Sequence, residues 1–393
     1  MPSELRVDKV SSTASPYEPV FSTTGGALSH RNMMINGAML IDQRNAGALA
    51  TNIGATDNDY RTVDRWRNVW TGGEATRISL QQVSITDLAG FSKAMKIDCV
   101  TAEGGTQDAD ESFRMAYKFE GQDLQGLEKG FSTAKSFTIS FWVKGTASRT
   151  YVLELKDSDN SRHLTQQFSV TASWVKHTYT IPADTTGKIT SDNTEGLELN
   201  LWFFAGTNYQ GGTYTANTWK TTTTNQRATG ISDSGKGLLT TTNDEVYFTG
   251  FQMELGSVAT PFEHRRHSEE LQNCMRYFQR PEFRNAFFGG QGQVRADTGT
   301  TLISYAFPVR MRTIPSTITT PTIGQANGNI TFLNGEAYPS SHGSVGATET
   351  TADHVCMFFG SFSSLGTAHT NCWAYVTNNS GNNNAFFEFE AEL

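Results

Sequence analysis

The run FTISFWV at residues 137–143 decides the fold class. Phe137, Ile139, Phe141 and Val143 alternate with Thr138, Ser140 and Trp142. That period of two is the mark of a half-buried β-strand, because successive side chains leave opposite faces. The run LELNLWFF at residues 197–204 repeats it, with Leu197, Leu199, Leu201 and Phe203 on one face and Glu198, Asn200, Trp202 and Phe204 on the other. Working outward, residues 151–155, 168–170, 176–181 and 245–255 read as further strands separated by Gly, Asn, Asp and Thr. Many short strands between about residues 75 and 265 predict an all-β sandwich of the jelly-roll kind.

Composition agrees. Charged residues make up 18% of the 393-residue chain, against roughly 25% in typical soluble domains. Ser, Thr, Asn and Gly supply the missing polarity, and they favour strands and turns over helix interiors. A net charge of -8 argues against a nucleic-acid partner, which would call for a basic face. No run approaches the roughly 18 apolar residues of a membrane span, so membrane insertion is not expected. The opening MPSELRVDKV places charges where a secretion signal would need apolar residues. Cys99, Cys274, Cys356 and Cys372 lie far apart without a CxxC pair, which predicts buried free thiols and neither a zinc site nor a disulfide framework. No cofactor is expected.

The chain is long enough for two domains. Residues 1–30 are poor in periodic hydrophobicity and read either as a flexible tail or as a segment ordered by docking on something else. Residues 31–265 form the first β domain. Within it Trp66 and Trp70 stand four apart, but Gly72 and Gly73 follow, so a short strand or single turn is expected there. A linking helix is expected in residues 266–282, over SEELQNCMRYFQR. Ser268 would cap it, Glu269 and Glu270 suit its positive end, Leu271, Cys274, Met275 and Phe278 make its apolar stripe, and Pro281 ends it. Residues 283–393 return to strand patterns and predict a second, smaller C-terminal β-sandwich. Ile303, Tyr305 and Phe307 alternate, Asn334-Gly335 signals a hairpin turn, and residues 372–376 are expected to pair with residues 385–390.

Three stretches together resemble bacteriophage tail-fibre and receptor-binding proteins, especially those of short-tailed phages of marine bacteria. SELRVDKVSST at residues 3–13 is similar to the virion-attachment leader of such fibres. NMMINGAMLIDQRN at residues 32–45, followed by YRTVDRW at residues 60–66, resembles the opening of their carbohydrate-binding-module-like domain. FTGFQMELGSVATPFEHRRHSEELQNCMRYF at residues 248–278 resembles the end of that domain and the helix leaving it. The resemblance implies a jelly roll, homotrimerisation, a phage tail adaptor or nozzle protein as partner of residues 1–30, and a place on the virion as a host-recognition appendage. Strands with apolar residues on both faces, such as those carrying Trp142 and Phe204, agree with an intersubunit core.

Sugars are gripped by flat aromatic rings and planar polar groups. Trp202, Tyr209, Tyr214 and Trp219 lie in or beside FAGTNYQGGTYTANTWK at residues 204–220. They are candidates for carbohydrate binding, although Trp202 and Trp219 also suit packing of a loop onto the sandwich. In the C-terminal domain Trp373 and Tyr375 share one face of their strand, while Cys372, Ala374 and Val376 share the other. The aromatic pair is expected outward, towards a receptor or a neighbouring subunit, and Phe386 beside Glu388 and Glu390 is equally open. His264 and His267 in HRRH match no metal-ligand spacing, and a solvated, basic approach to the helix is expected there. There is no GxSxG elbow, no repeat of roughly 20 to 50 residues, and no evident pairing of acids such as Asp157, Asp159 and Glu198. The expected function is multivalent adhesion to host surface polysaccharide without catalysis; a polysaccharide depolymerase or a purely structural tail or capsid decoration protein is the alternative.

Overall fold

The structure is a computed structural model. It describes residues 30–393 apart from 55–56, 73–75, 284–286, 297–299, 320–329, 334–344, 349, 360–370 and 377–384, with backbone alone at 52, 282–283, 287–296, 300–303, 330–333, 345–348, 356–359, 371–376 and 385. The attachment segment, the Asn334-Gly335 turn and the side chains of Trp373 and Tyr375 therefore lie outside the described residues.

Two antiparallel sheets form the first domain. The first has six strands in the order β1 (Ala50–Gly54), β4 (Thr76–Ser84), β5 (Lys93–Cys99), β13 (Glu245–Leu255), β7 (Phe137–Gly145) and β10 (Val175–Ile181). The second has seven, in the order β12 (Lys220–Thr221), β9 (Arg162–Val170), β8 (Arg149–Asp157), β11 (Glu195–Ala205), β6 (Ser112–Glu120), β3 (Trp66–Thr71) and β2 (Asn58–Asp59). This is the expected all-β jelly-roll sandwich. Trp66 and Trp70 sit on a strand, fully buried. The rings of Phe141 and Phe251 stack at 4.6 Å between the sheets, and Trp66 lies 4.9 Å from Phe251. Each such ring contributes about 2–3 kcal/mol by leaving water.

Two irregularities set which residues enter that core. The register of β13 against β7 shifts between Thr249 and Gln252, where Gly250 has φ +67 and a side chain would strike the Phe91 ring. The bulge turns both Phe248 and Phe251 inward. A second shift, between Trp202 and Phe204 on β11, brings Phe204 inside, where it stacks on Trp70. Phe204 is thus buried within one chain, which corrects its use as a sign of an intersubunit face. Trp142 remains half-buried on the outer side of β7.

Helix α1 spans His267–Met275 and ends earlier than the apolar stripe implied. Arg266 is its N-cap, without a side-chain cap, so Ser268 lies inside the first turn. The helix stops because the chain after it is drawn into a sheet: Phe278 and Gln279 form β14 (Phe278–Gln279), paired with β24 (Glu388–Glu390), which in turn pairs with β18 (Thr317–Thr319). Tertiary pairing overrides the helical periodicity.

The remaining C-terminal strands are antiparallel as well. β15 (Glu282–Phe283) pairs with β23 (Ala385–Phe386). A six-stranded sheet runs β19 (Ile330–Leu333), β22 (Asn371–Val376), β16 (Phe287–Ala296), β17 (Thr300–Ala306), β21 (His354–Phe359) and β20 (Val345–Thr348). The strand containing residues 372–376 accordingly pairs with β16 and β19, not with residues 385–390, which return to the foot of the first domain.

Candidate functional site

Two of the stretches that carry the family resemblance, residues 32–45 with 60–66 and residues 248–278, meet at that foot. The Asn36 amide donates to the carbonyls of Ile41 and Asp64 and accepts from the Ile41 amide, closing the turn in NMMINGAMLI. Arg265 of HRRH bonds Glu270 and the carbonyls of Asn32 and Met34, while His264 packs on Phe91 and Phe262. The expected solvated, basic approach to the helix holds for His264, Arg266 and His267, which are exposed, and fails for Arg265, which is drawn into these bonds. Arg65 of YRTVDRW pairs with Glu392, donates to the Lys118 carbonyl and lies 3.4 Å from the Tyr277 ring centroid. Arg44 reaches Glu392 at 3.1 Å, and Arg312 donates to the carbonyls of Ala391 and Glu392. These residues join the first domain to the last strand of the second; they are a structural joint.

The chemistry suited to a ligand lies on the outer face of the seven-stranded sheet. On β8, Tyr151, Leu153 and Leu155 point into the core, which sends Val152, Glu154 and Lys156 outward. Register places Glu154 between Thr165 of β9 and Asn200 of β11, and Lys156 between His163 and Glu198. Lys118 of β6 stands beside Glu198, and Arg114 beside Trp202.

Glu154 is the hub. It receives Arg227 through Nε at 2.7 Å and Nη2 at 2.8 Å, the Trp202 indole N–H at 3.0 Å and the Asn200 amide at 3.3 Å. His163 Nδ1 lies 3.2 Å from its other oxygen, so that nitrogen carries the proton. Burial alone would raise the Glu154 pKa; the Arg227 charge and the His163 hydrogen bond outweigh it and hold the carboxyl well below its usual range. Arg114 Nε donates to Asn200 Oδ1 at 2.9 Å. Along the same face Lys156 lies 3.8 Å from Glu198 and Lys118 2.9 Å from Glu195. Arg227 arrives from residues 206–244, the connection between β11 and β13.

The expected site residues scatter around this hub. Trp202 is fully buried, with the Arg114 and Arg227 guanidinium groups 4.8 and 4.9 Å from its ring and Tyr209 at 5.3 Å. It has no free face for a sugar; it orients Glu154 instead. Tyr209 is half-buried beside it. Tyr214 is also half-buried, its hydroxyl accepting from the Gln167 amide at 3.0 Å and facing Gln166 Oε1 at 3.3 Å. Trp219 turns to the other side of the edge, donating to the Pro182 carbonyl at 3.0 Å and packing on the core. Trp373 and Tyr375 lie on β22, remote in sequence from this face, and their side chains are outside the described residues. Among the acids, Asp157 points inward and bonds Lys129 and Asn160, while Glu198 is the one on the outer face. No cluster of three or more metal-ligating side chains occurs among the described residues.

Glu154, Asn200, Arg114, His163 and Arg227 are not among the site residues expected from sequence, although the alternation places Asn200 on the face opposite the core leucines. The polar half of YVLELKD at residues 151–157 was a usable signal, since Glu154 and Lys156 alternate with core leucines. Arg227 has no such signal, because its position depends on how a long connection folds back.

No family model matches the chain, and no curated protein matches it. Solved structures do. One described as "CBM4 structure and function" is 12% identical with a TM-score of 0.28, covering 56% of this chain and 98% of its own. The enzymatically active domain of tailspike protein 4 from bacteriophage CBA120 is 8% identical with a TM-score of 0.29, covering 52% of this chain and 21% of its own. A family 11 carbohydrate-binding module from Clostridium thermocellum, in complex with a mixed-linked tetrasaccharide, is 14% identical with a TM-score of 0.27, covering 52% and 95%. Each is similar to this chain over about half of its length.

Proposed function

We propose that this chain is a glycan-binding adhesin, a bacteriophage tail fibre or spike subunit that holds the virion to polysaccharide on its host. The observation that carries the glycan reading is the outer face of the seven-stranded sheet. There Arg114, Asn200, Glu154 and Arg227 form a linked planar array, with half-buried Tyr209 and Tyr214 at its rim. The buried Glu154 and Asn200 hold the half-buried Arg114 and Arg227 guanidinium groups in place; donors fixed in this way meet sugar hydroxyls without further ordering, and tyrosine rings offer an apolar edge to sugar C–H groups.

The same array favours binding over cleavage. A glycosidase acid needs a carboxyl that stays protonated near neutral pH. Glu154 is held ionised by Arg227, and Glu198 stands against Lys156. The tail reading is supported by the ordered set of resembling stretches, and it assigns residues 1–30 to docking on a tail protein. Deleting them should leave a folded chain that no longer joins virions; normal incorporation would contradict that assignment.

The glycan reading is tested by incubating the protein with purified host surface polysaccharide, following retention on the immobilised polymer and release of reducing ends. Retention without release is expected. Release that ends with Glu154→Gln or Glu198→Gln would replace the adhesin with a depolymerase.

A further inference from the structure

Several polar atoms on this face have no partner among the described residues, and they gather at one edge. His163 Nε2 and Thr165 Oγ1 are buried and unbonded, on side chains 0% and 1% exposed, and so are Lys220 Nζ and Thr222 Oγ1. Their placement follows from register. Lys220 pairs with His163 across β12 and β9, Thr222 donates its amide to Ser161, and Thr165 lies two residues along the same face. Residues 223–229 follow, anchored on the same face by Arg227 on Glu154 and by the Gln167 side-chain amide on the Thr229 carbonyl. Buried polar groups are ordinarily satisfied, so several orphans side by side mark where water or a ligand supplies the missing atoms. Burial also lowers the Lys220 pKa, as expected of an ammonium group without a counter-charge.

The charge of the face narrows the ligand. Arg114, Lys118, Lys156, Lys220 and Arg227 stand against Glu154, Glu195 and Glu198, so the face is cationic in a chain of net charge -8. Each carboxylate already has a basic partner, whereas Lys220 has none among the described residues.

We propose that the edge formed by His163, Thr165, Lys220 and Thr222 binds the anionic substituent of an acidic sugar, a uronate carboxylate or a sulfate ester, beside the segment 223–229. The Lys220 ammonium and the two threonine hydroxyls donate to the anion. His163 donates through Nδ1 to Glu154, which leaves Nε2 to accept from a neighbouring sugar hydroxyl. This rests on the glycan reading and adds to it the class of polysaccharide.

The test is calorimetric titration of the full chain with three oligosaccharides of matched length: an alginate oligomer carrying uronates, a carrageenan oligomer carrying sulfate esters, and a neutral laminarin oligomer. The wild type should bind at least one anionic oligomer about tenfold more tightly than the neutral one. Lys220→Gln should remove that preference, bringing anionic binding down to the neutral level with the melting temperature unchanged, and Thr165→Val should weaken anionic binding in the same direction. The two anionic arms separate carboxylate from sulfate. Neutral and anionic oligomers bound equally, or a preference that survives Lys220→Gln, would overturn the inference alone and leave the orphaned atoms to ordered water. Binding of none of the three would also overturn the inference, and only a lack of retention on host polysaccharide as well would remove the glycan reading with it.

Discussion

Glu154 and Arg227 show how one residue pair organises the face. The carboxylate is fully buried, and its ionised form is tolerable because five donors surround it. Removing one partner of a buried pair leaves an uncompensated charge, at a cost of about 3–5 kcal/mol. Arg227→Met should therefore destabilise the first domain by about that amount, read from denaturant unfolding, whereas Arg227→Met combined with Glu154→Gln should recover much of it. The pH dependence has a definite sign. A carboxyl whose folded pKa is depressed contributes stability above its unfolded value, near 4.5, and loses it as pH falls through the folded value. Arg227→Met should thus shift acid unfolding to higher pH; an unchanged acid limb would mean that Glu154 is not the group being titrated.

The strands were the legible elements. β13 matches its expected bounds, β10 begins one residue and β9 six residues earlier than expected, and β8 is two residues longer at each end, because alternation is set locally by which face is wet. What sequence did not disclose came from long-range partners. The helix yields Phe278 to β24, β22 takes β16 and β19 as neighbours, and Trp202 is roofed by a connection whose course no periodicity encodes. The joint at the foot follows the same logic, since Arg65 finds Glu392 across most of the chain. Arg65→Met should raise hydrogen exchange at β24 well above that of β13; equal protection in wild type and variant would argue against the joint. Asp64, beside Arg44, is pushed up to about 6 by burial. Its contribution is fully present below its unfolded pKa of 3.8 and is lost as pH rises through about 6. Asp64→Asn should flatten the dependence of melting temperature on pH between these values.

At the scale of the whole molecule, the joint fixes the end of the C-terminal domain against the first, and adhesion would gain from such rigidity because avidity needs sites held at usable spacing. The proposed homotrimer now rests on the family resemblance and on the half-buried Trp142, since Phe204 is satisfied within its own chain. Sedimentation equilibrium at micromolar concentration should return a trimer; a monomer would end that proposal and with it the threefold multiplication of weak sites. The central claim is that the outer face of the seven-stranded sheet binds host glycan. It is tested most directly by recording the indole N–H resonances of the protein during titration with host polysaccharide fragments. Trp202, whose N–H is held by Glu154 beneath the array, should shift, while Trp66 in the core should stay in place. Saturable binding that moves Trp373 and leaves Trp202 unmoved would contradict the account and place recognition on the C-terminal domain.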